Sequence, residues 1–149
     1  MLKVFTICIS HIPNIALFLD NTLCLFEHKY QGVVGWGHKP TADKARCYAL
    51  KHNLPYIALE DGFLRSLDLG CKGAQPLSLV VDHTGIYYDA TEPSDLENLL
   101  NGSGGDSEGQ LQSAQHAIEA IKRHDLSKYN HAPRAAEKLL GDASCPRVL

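Results

Sequence analysis

Two adjacent carboxylates and a nearby arginine are the residues of this sequence best suited to chemistry. Glu60 and Asp61 directly follow an apolar run, and Arg65 comes four positions after Asp61. A carboxyl group can exchange a proton with a reacting group, and a guanidinium binds carboxylates and phosphates through paired hydrogen bonds. The alternative is a solvated corner with an ordinary ion pair, which residue type alone favours.

The predicted elements place these side chains where open α/β sheets bind ligands. The run from Tyr56 to Leu59 is typical of a buried strand, and ligands bind in the crevice beyond the carboxyl ends of such strands. Gly62 then permits a sharp turn or a close approach of the backbone to a ligand. Glu60 and Asp61 are therefore candidates for a site.

A glycine-flanked tryptophan forms a second candidate site. The run Gly35-Trp36-Gly37-His38-Lys39 separates a short strand at Val33 and Val34 from a helix at about residues 44–51 that Thr41 caps. Free backbone N–H groups at such a strand-to-helix turn can bind an anion. The run is neither a Walker loop nor a dinucleotide fingerprint, so the alternative is a tight turn with the tryptophan packed beneath it.

A predicted β-hairpin supplies a third group of polar residues. Residues 77–82 are typical of a strand, residues 83–85 of a tight turn, and residues 86–89 of the antiparallel partner. A solvent-facing hairpin with cross-strand aromatic packing is the alternative. The hairpin would bring together two tyrosines and two aspartates that suit hydrogen bonding to a polyhydroxylated ligand, namely Asp82, Tyr87, Tyr88 and Asp89.

Hydrophobic periodicity predicts the remaining elements of an α/β fold with a parallel, Rossmann-like sheet flanked by helices. The other predicted strands are residues 4–9 and 21–26. The other predicted helices are residues 11–19, capped by Ser10, residues 94–100, opened by the capping signature of Ser94 and Glu97, and residues 108–124. Residues 101–107 are predicted to form a flexible loop.

Length and charge limit the class of protein. The 149 residues are enough for one domain, and the formal net charge of -3 argues against nucleic acid as a partner. Lysines and arginines are scattered, so no polybasic membrane patch is present, and no stretch has the length of a membrane span.

Cysteine and histidine usage indicates a reducing compartment and no metal. The five cysteines are far apart and include no C-x-x-C pair, which is typical of free thiols in a cytosol. We expect Cys8, Cys24 and Cys47 to be buried, because they lie in apolar runs. The eight histidines show no zinc-ligand spacing. His131, in a polar loop, is the histidine best placed for a function.

Six motifs occur in order along the chain, and their combination resembles the bacterial capsule polysaccharide biosynthesis proteins of the KpsC type. The resemblance covers about residues 31–133. The motifs occupy residues 34–40, 59–66, 76–82, 85–90, 93–97 and 128–130.

The resemblance implies a cytoplasmic β-Kdo transferase with at most peripheral association with the inner membrane. Such enzymes transfer Kdo, an acidic sugar, from CMP-Kdo to a lipid-linked acceptor on a phospholipid, and so build the oligo-Kdo linker of an exported capsule. They use no cofactor besides this sugar-nucleotide donor. Their catalytic modules are two-lobed, of GT-B-like architecture, and often occur in tandem. Residues 1–149 would then form the N-terminal lobe, and a C-terminal lobe or second transferase module would be its partner.

The resemblance also implies roles for the candidate residues. Glu60 or Asp61 would be the acid/base group of a transfer with retained configuration, and the nucleophile would lie beyond the C-terminal residue. Lys39 and Arg65 would bind the Kdo carboxylate or an acceptor phosphate. His131 would act in acid/base chemistry or contact a phosphate. The implied substrate-binding residues are Gly35, Trp36, Gly37, Lys39, Arg65, Ser66, Ser78, Asp82, Tyr87, Tyr88 and Asp89.

Two other interpretations stay open. Residues 145–149 are typical of the start of a strand, so we expect a longer protein, of which this part is either inactive or binds only a glycolipid or a partner chain. A receiver-like signalling domain, with Asp61 following a strand, is disfavoured. Such a domain needs an acidic pair after its first strand, and Ile9-Ser10-His11 offers none.

Overall fold

A five-stranded sheet with helices on both faces forms the centre of the fold. The computed structural model describes residues 1–26, 29–102 and 107–129. The strands are β1 (Leu2–Val4), β2 (Leu23–Cys24), β3 (Gly32–Trp36), β4 (Tyr56–Asp61) and β5 (Leu79–Asp82). The helices are α1 (Ile7–Ser10), α2 (Ile15–Phe18), α3 (Pro40–His52), α4 (Asp95–Asn101) and α5 (Glu108–Arg123), and a 3₁₀ turn spans Gly70–Lys72.

The sheet is mixed, and its four parallel strands match the predicted α/β fold. The strand order is β2-β1-β3-β4-β5. The first four strands are parallel, and β5 is antiparallel to β4. Parallel neighbours need a crossover connection, which α3 provides between β3 and β4. The α/β fold class is therefore confirmed.

Apolar side chains cover both faces of the central strands. On one face, Leu59 belongs to a cluster with Ile9 of α1 and Ile15 of α2. On the other face, Val33 packs with Ala45 of α3, where a small side chain lets the helix approach the sheet closely. With both faces covered, the ends of the strands are the open positions for a ligand.

The first predicted strand is shorter than expected. The strand predicted over residues 4–9 is β1, and the chain becomes helical at Ile7. Thr6 causes the change, because its side chain accepts a hydrogen bond of 3.3 Å from the backbone N–H of Cys8 and caps α1. A β-branched residue therefore starts a helix here instead of continuing a strand.

The helix predicted over residues 11–19 reduces to α2. Ser10 does not cap it but ends α1, and its hydroxyl donates to the carbonyl of Ile7 at 2.8 Å. Pro13 disfavours helical geometry at the residue before it. Asn14 then adopts a left-handed φ of 58°, which interrupts the helix until Ile15.

The predicted β-hairpin does not form. Residues 86–89 are not a strand, and β5 instead pairs with β4, with Asp61 opposite Leu79. Asp82 turns the chain, because its Oδ1 accepts hydrogen bonds from the backbone N–H groups of Thr84 and Gly85 at 2.9 and 2.7 Å. This aspartate-centred turn leads the chain away from the sheet.

The helices α3, α4 and α5 lie closer to their predicted positions. In α4 the hydroxyl of Ser94 accepts from the N–H of Glu97 at 3.1 Å, and Ser107 opens α5 with a capping box. α3 begins with Lys39 as its cap, so that Thr41 lies inside the helix rather than before it. Residues 103–106 of the predicted flexible loop lie outside the described residues.

Two further expectations concern membranes and thiols. None of the helices in the described parts of the chain is both long and apolar enough to cross a membrane. Cys8 and Cys47 are exposed, so the prediction that they are buried is wrong, and Cys24 is half-buried. All three are free thiols.

Candidate active site

The carboxyl ends of the parallel strands open into a cleft of about 910 Å³. Its walls come from the segments that follow β1, β3 and β4, which is where open α/β sheets bind ligands. Ile9, Ile12 and Leu69 form an apolar part of the lining. Its polar side chains are those of Thr6, Lys39, Thr41, Asp61, Arg65 and Tyr129.

Asp61 and Arg65 form an ion pair in the wall of the cleft. Arg65 Nε lies 2.6 Å from Asp61 Oδ1, and the two side chains are 9% and 21% exposed. The N–H direction is not aligned for a hydrogen bond, and neither atom has another hydrogen-bond partner among the described residues. Nη1 donates separately to Ser66 Oγ at 2.8 Å and to the Ala74 carbonyl at 3.1 Å. The guanidinium is thus fixed without a ligand.

Backbone and side-chain contacts of neighbouring residues fix the position of Arg65. The backbone N–H groups of Arg65 and Ser66 donate to the carbonyl of Lys128 at 3.2 and 3.3 Å. Ser66 is buried, and its hydroxyl donates to the Asp68 carbonyl at 2.5 Å. Gly70 lies so close to the guanidinium that a Cβ there would overlap Nη2. The contacts of Ser66 therefore support Arg65.

Lys39 supplies a second cation to the cleft. It precedes Pro40, the first residue of α3, and its Nζ lies 5.5 Å from the centre of the Trp36 ring. Both side chains line the cleft. The lining carries two positive charges, on Lys39 and Arg65, and one negative charge, on Asp61. Its net positive charge suits an anionic ligand.

Glu60 and Asp61 point to opposite faces of β4. Side chains alternate along a strand, so Asp61 shares the face of Leu59 while Glu60 shares the face of Tyr56. Glu60 Oε1 accepts from Trp36 Nε1 at 3.2 Å and from the Asp61 N–H at 3.0 Å. The carboxylates do not form a pair: Asp61 lines the cleft, and Glu60 supports its wall.

The predicted glycines serve packing. Gly37 adopts a φ of 47°, and a Cβ there would lie 2.5 Å from Tyr88 Oη and 2.7 Å from Glu60 Oε2. A Cβ at Gly35 would overlap the hydroxyl of Tyr56. Gly37 lets Tyr88 and Glu60 approach the turn after β3, and Gly35 lets Tyr56 pack against β3 itself.

Ser78 and Asp82 have structural contacts away from the cleft lining. The hydroxyl of Ser78 donates to the Leu64 carbonyl at 2.5 Å. Asp82 is 2% exposed, and besides its turn it accepts the backbone N–H of Asp95 at 3.2 Å, which joins β5 to the start of α4. Both contacts are internal to the fold.

The aromatic residues after β5 fold back against the turn after β3. Tyr88 donates to Glu60 Oε2 at 3.3 Å, and burial, followed by the charge of Glu60, raises the pKa of Tyr88. Asp89 Oδ2 lies 3.4 Å from His38 Nε2. Tyr87 packs against Phe63, with ring centres 5.1 Å apart. These residues therefore lie outside the cleft lining and contact Glu60, His38 and Phe63.

Sequence reasoning missed part of the cleft lining. Thr6 and Ile9 reach it because the chain turns into α1 after β1. Tyr129 reaches it through a parallel bridge to Ser66. A helix cap at Thr6 was the available signal for the first two residues, whereas no local pattern marks the contact with Tyr129.

One of the predicted site residues, His131, lies outside the residues that the structure describes. Within residues 1–26, 29–102 and 107–129, no three or more His, Cys, Asp or Glu side chains are grouped to hold a metal ion.

The chain is similar to two curated bacterial proteins. It is 48% identical over 130 residues to the capsule polysaccharide modification protein LipA of Neisseria meningitidis serogroup B, covering 87% of this chain and 18% of LipA. It is 40% identical over 132 residues to the lipopolysaccharide-processing protein LpsZ of Rhizobium meliloti, covering 88% of this chain and 29% of LpsZ. The chain thus spans less than a third of either relative.

The chain is also similar to two solved structures from one organism. The Thermosulfurimonas dismutans KpsC β-Kdo 2,4 transferase matches with a TM-score of 0.85 and 42% identity, over 92% of this chain and 44% of that one. The β-Kdo 2,7 transferase of the same organism matches with a TM-score of 0.55 and 27% identity, over 92% and 45%. The profile of the family described as capsule polysaccharide biosynthesis protein matches residues 31–147. The chain belongs to this capsule polysaccharide biosynthesis family.

Proposed function

We propose that this chain takes part in the transfer of Kdo from CMP-Kdo to a phospholipid-linked acceptor. The observation that carries the proposal is the match to the solved β-Kdo 2,4 transferase. Because the chain covers 44% of that transferase, the proposal assigns it one lobe and leaves the rest of the active site to a second lobe. We assign the contribution of this lobe, substrate binding and proton transfer, to the residues that line its cleft.

The charge of the cleft supports binding of an acidic sugar. The guanidinium of Arg65 is fixed by Ser66 and Ala74, and a pre-positioned cation binds a carboxylate or phosphate with little loss of side-chain entropy. Lys39 adds a second positive charge over the indole of Trp36. Kdo carries a carboxylate, and the acceptor lipid carries a phosphate, so both substrates present the anionic group that this lining suits.

Asp61 is the carboxylate of this lobe best placed for proton transfer. It lines the cleft, and Arg65 Nε lies against its Oδ1. We propose that the remaining oxygen accepts the proton of the acceptor hydroxyl as the acceptor oxygen bonds to the anomeric carbon of Kdo and the bond from that carbon to the nucleophile of the second lobe breaks. Glu60 supports the wall of the site, and the nucleophile and most of the CMP contacts belong to the second lobe. His131 is kept as a candidate for a phosphate contact. We propose that the complete enzyme works in the cytoplasm at the inner membrane face, where its lipid acceptor lies.

A fusion enzyme tests this proposal. The segment of the T. dismutans β-Kdo 2,4 transferase that aligns with this chain is replaced by this chain, and Kdo transfer from CMP-Kdo to a lipid-linked Kdo acceptor is followed by mass spectrometry. The proposal predicts transfer by the fusion and none by the 149-residue chain alone. The native transferase is the positive control.

Two outcomes would change the account. Transfer by the chain alone would show that this lobe holds the whole catalytic apparatus. A fusion that folds and binds CMP-Kdo but transfers nothing would favour the second candidate, a lobe that only binds a glycolipid or a partner chain. The coverage of less than half of the transferase is the observation behind this second candidate.

A further inference from the structure

We propose that Tyr88 is a positioning residue that sets the geometry of the cleft through the carboxylate of Glu60. The proposal rests on the proposed function, because the cleft concerned is the one assigned to Kdo transfer. Tyr88 does not line the cleft and is 46% exposed. Its influence therefore has to pass through other side chains.

A continuous set of contacts leads from Tyr88 to the cleft. The Tyr88 hydroxyl donates to Glu60 Oε2 at 3.3 Å. Glu60 Oε1 in turn accepts from Trp36 Nε1 at 3.2 Å, and the indole lies beneath the Nζ of Lys39 at 5.5 Å. Trp36 and Lys39 both line the cleft. Each carboxylate oxygen of Glu60 thus has a separate partner, one outside the cleft and one in its wall.

The same carboxylate also reaches the strand end that bears Asp61. Glu60 Oε1 accepts the backbone N–H of Asp61 at 3.0 Å. The orientation of Glu60 therefore affects two cleft residues at once, the indole of Trp36 and the backbone of Asp61. A group that fixes this carboxylate controls both.

Close packing makes the arrangement specific to Tyr88. The left-handed turn at Gly37 leaves room for the phenol oxygen and Glu60 Oε2, which a Cβ would occupy. The ring of Tyr88 also packs edge-on against His38, with ring centres 5.5 Å apart. Removing the hydroxyl alone should therefore release Glu60 while the ring stays in place.

The intrinsic fluorescence of the chain reports on this contact without any substrate. Trp36 is the only tryptophan, so emission excited at its absorption edge comes from the cleft wall alone. In Tyr88→Phe, Glu60 Oε2 has no donor, and the indole is held less firmly. We expect the acrylamide quenching constant of Trp36 to rise by about two- to fivefold, since loss of one hydrogen bond shifts the held-to-free equilibrium by such a factor.

Tyr48→Phe is the matched control. It removes one phenol hydroxyl from a ring that packs with Phe5 and His52, away from Glu60. Its quenching constant should equal that of the wild type. Quenching of Tyr88→Phe that is unchanged, or that rises equally in Tyr48→Phe, would overturn the proposal.

Variants of Glu60 keep the test decisive if Tyr88→Phe does not fold. Glu60→Gln retains an oxygen that accepts from Trp36, whereas Glu60→Leu does not. The proposal predicts wild-type quenching for Glu60→Gln and increased quenching for Glu60→Leu, and equal quenching in the two variants would overturn it.

Kinetics of the fusion enzyme provide the second readout. Tyr88→Phe should raise the KM for the acceptor more than it lowers kcat, because it loosens binding groups and leaves Asp61 present. Unchanged quenching of the 149-residue chain with Tyr88→Phe, together with an active parent fusion, refutes only the role of Tyr88. Increased quenching of the chain with Tyr88→Phe, together with a parent fusion that folds and binds CMP-Kdo but transfers nothing, refutes only the proposed function.

Discussion

Arg65 Nε lies 2.6 Å from Asp61 Oδ1 where β4 ends and the cleft begins. The two residues are separated by one turn of chain that contains Gly62, and the guanidinium is held on its other side by Ser66 and Ala74. A carboxylate and a cation are thereby presented to one ligand from a single loop. The geometry makes the loop after β4 the centre of the site.

Breaking this ion pair should destabilise the fold more than breaking a surface pair. In Asp61→Ala, the mostly buried guanidinium loses its counter-charge, and we expect a loss of about 1–3 kcal/mol in the free energy of unfolding. The double variant Asp61→Ala/Arg65→Met should recover part of it, because the buried charge is then absent. Urea denaturation measures all three free energies.

Asp43→Ala is the control for this comparison. Asp43 pairs with Arg46 on α3, and its side chain is 64% exposed, so its removal should cost about 1 kcal/mol or less. Equal losses for Asp61→Ala and Asp43→Ala would contradict the structural account of the pair.

Free Kdo should protect Cys8 from alkylation. Cys8 is an exposed free thiol that lines the cleft, whereas Cys47 is an exposed thiol on α3 outside its lining. Peptide mass spectrometry after brief maleimide treatment should show slower labelling of Cys8 in the presence of Kdo and unchanged labelling of Cys47. A neutral hexose at the same concentration should protect neither.

Lys39→Ala should weaken this protection. Loss of a charge-assisted contact corresponds to about a tenfold higher Kdo concentration for half-protection. Protection that is unchanged in this variant, or that extends equally to Cys47, would show that the sugar acid is not held by the cations of the cleft.

A side chain at Gly62 should disturb the site through Ser78. A Cβ at this position would overlap the hydroxyl of Ser78 and its backbone, so Gly62→Ala should lower stability by about 1–3 kcal/mol. Gly109→Ala is the opposite case, since Gly109 lies in α5 with open space around it. That variant should gain about 0.5–1 kcal/mol, and a loss of the same size in both would refute the packing at Gly62.

Asp95 should make stability depend on acid pH. Desolvation by partial burial acts to raise the pKa of Asp95, but hydrogen bonds from the His83 N–H and the Thr84 hydroxyl, with the charge of His83, lower the pKa overall below its usual value. Because the folded pKa lies below the unfolded one, this stability is present above about pH 4 and is lost as the pH falls through the folded pKa.

Asp95→Asn tests the pH dependence directly. The variant has no titrating group at this position, so its free energy of unfolding should fall less steeply than that of the wild type as the pH is lowered below about 4. Parallel curves for the two proteins would show that Asp95 does not contribute to the acid transition.

The sequence was informative where chemistry and pattern coincide locally. The apolar run before Glu60 predicts β4, the capping signature at Ser94 marks α4, and apolar periodicity marks α5. Strand alternation also carries the information that Glu60 and Asp61 face opposite sides, although residue type and position left open which of them has the acid/base role. The separation follows from the period of a strand.

The sequence was less informative where a local cap or turn interrupts an apolar pattern, and where distant segments meet. Thr6 starts a helix within an apolar β-branched run, and Asp82 redirects a chain whose tyrosines suggested a hairpin. Tyr129 joins the cleft from beyond α5. The contact of Tyr129 depends on the assembled sheet, which no local pattern specifies, whereas the cap at Thr6 and the turn at Asp82 are local contacts.

The most direct test of the central claim is Kdo transfer by fusion enzymes that carry Asp61→Asn or Asp43→Asn. Both variants convert one aspartate to its amide, but only Asp61 lines the cleft. We predict that Asp61→Asn lowers kcat by about 10²–10⁴-fold, as expected for loss of a general base, while Asp43→Asn retains the activity of the parent fusion. A folded Asp61→Asn fusion with undiminished kcat would contradict the assignment of the chemistry to this cleft.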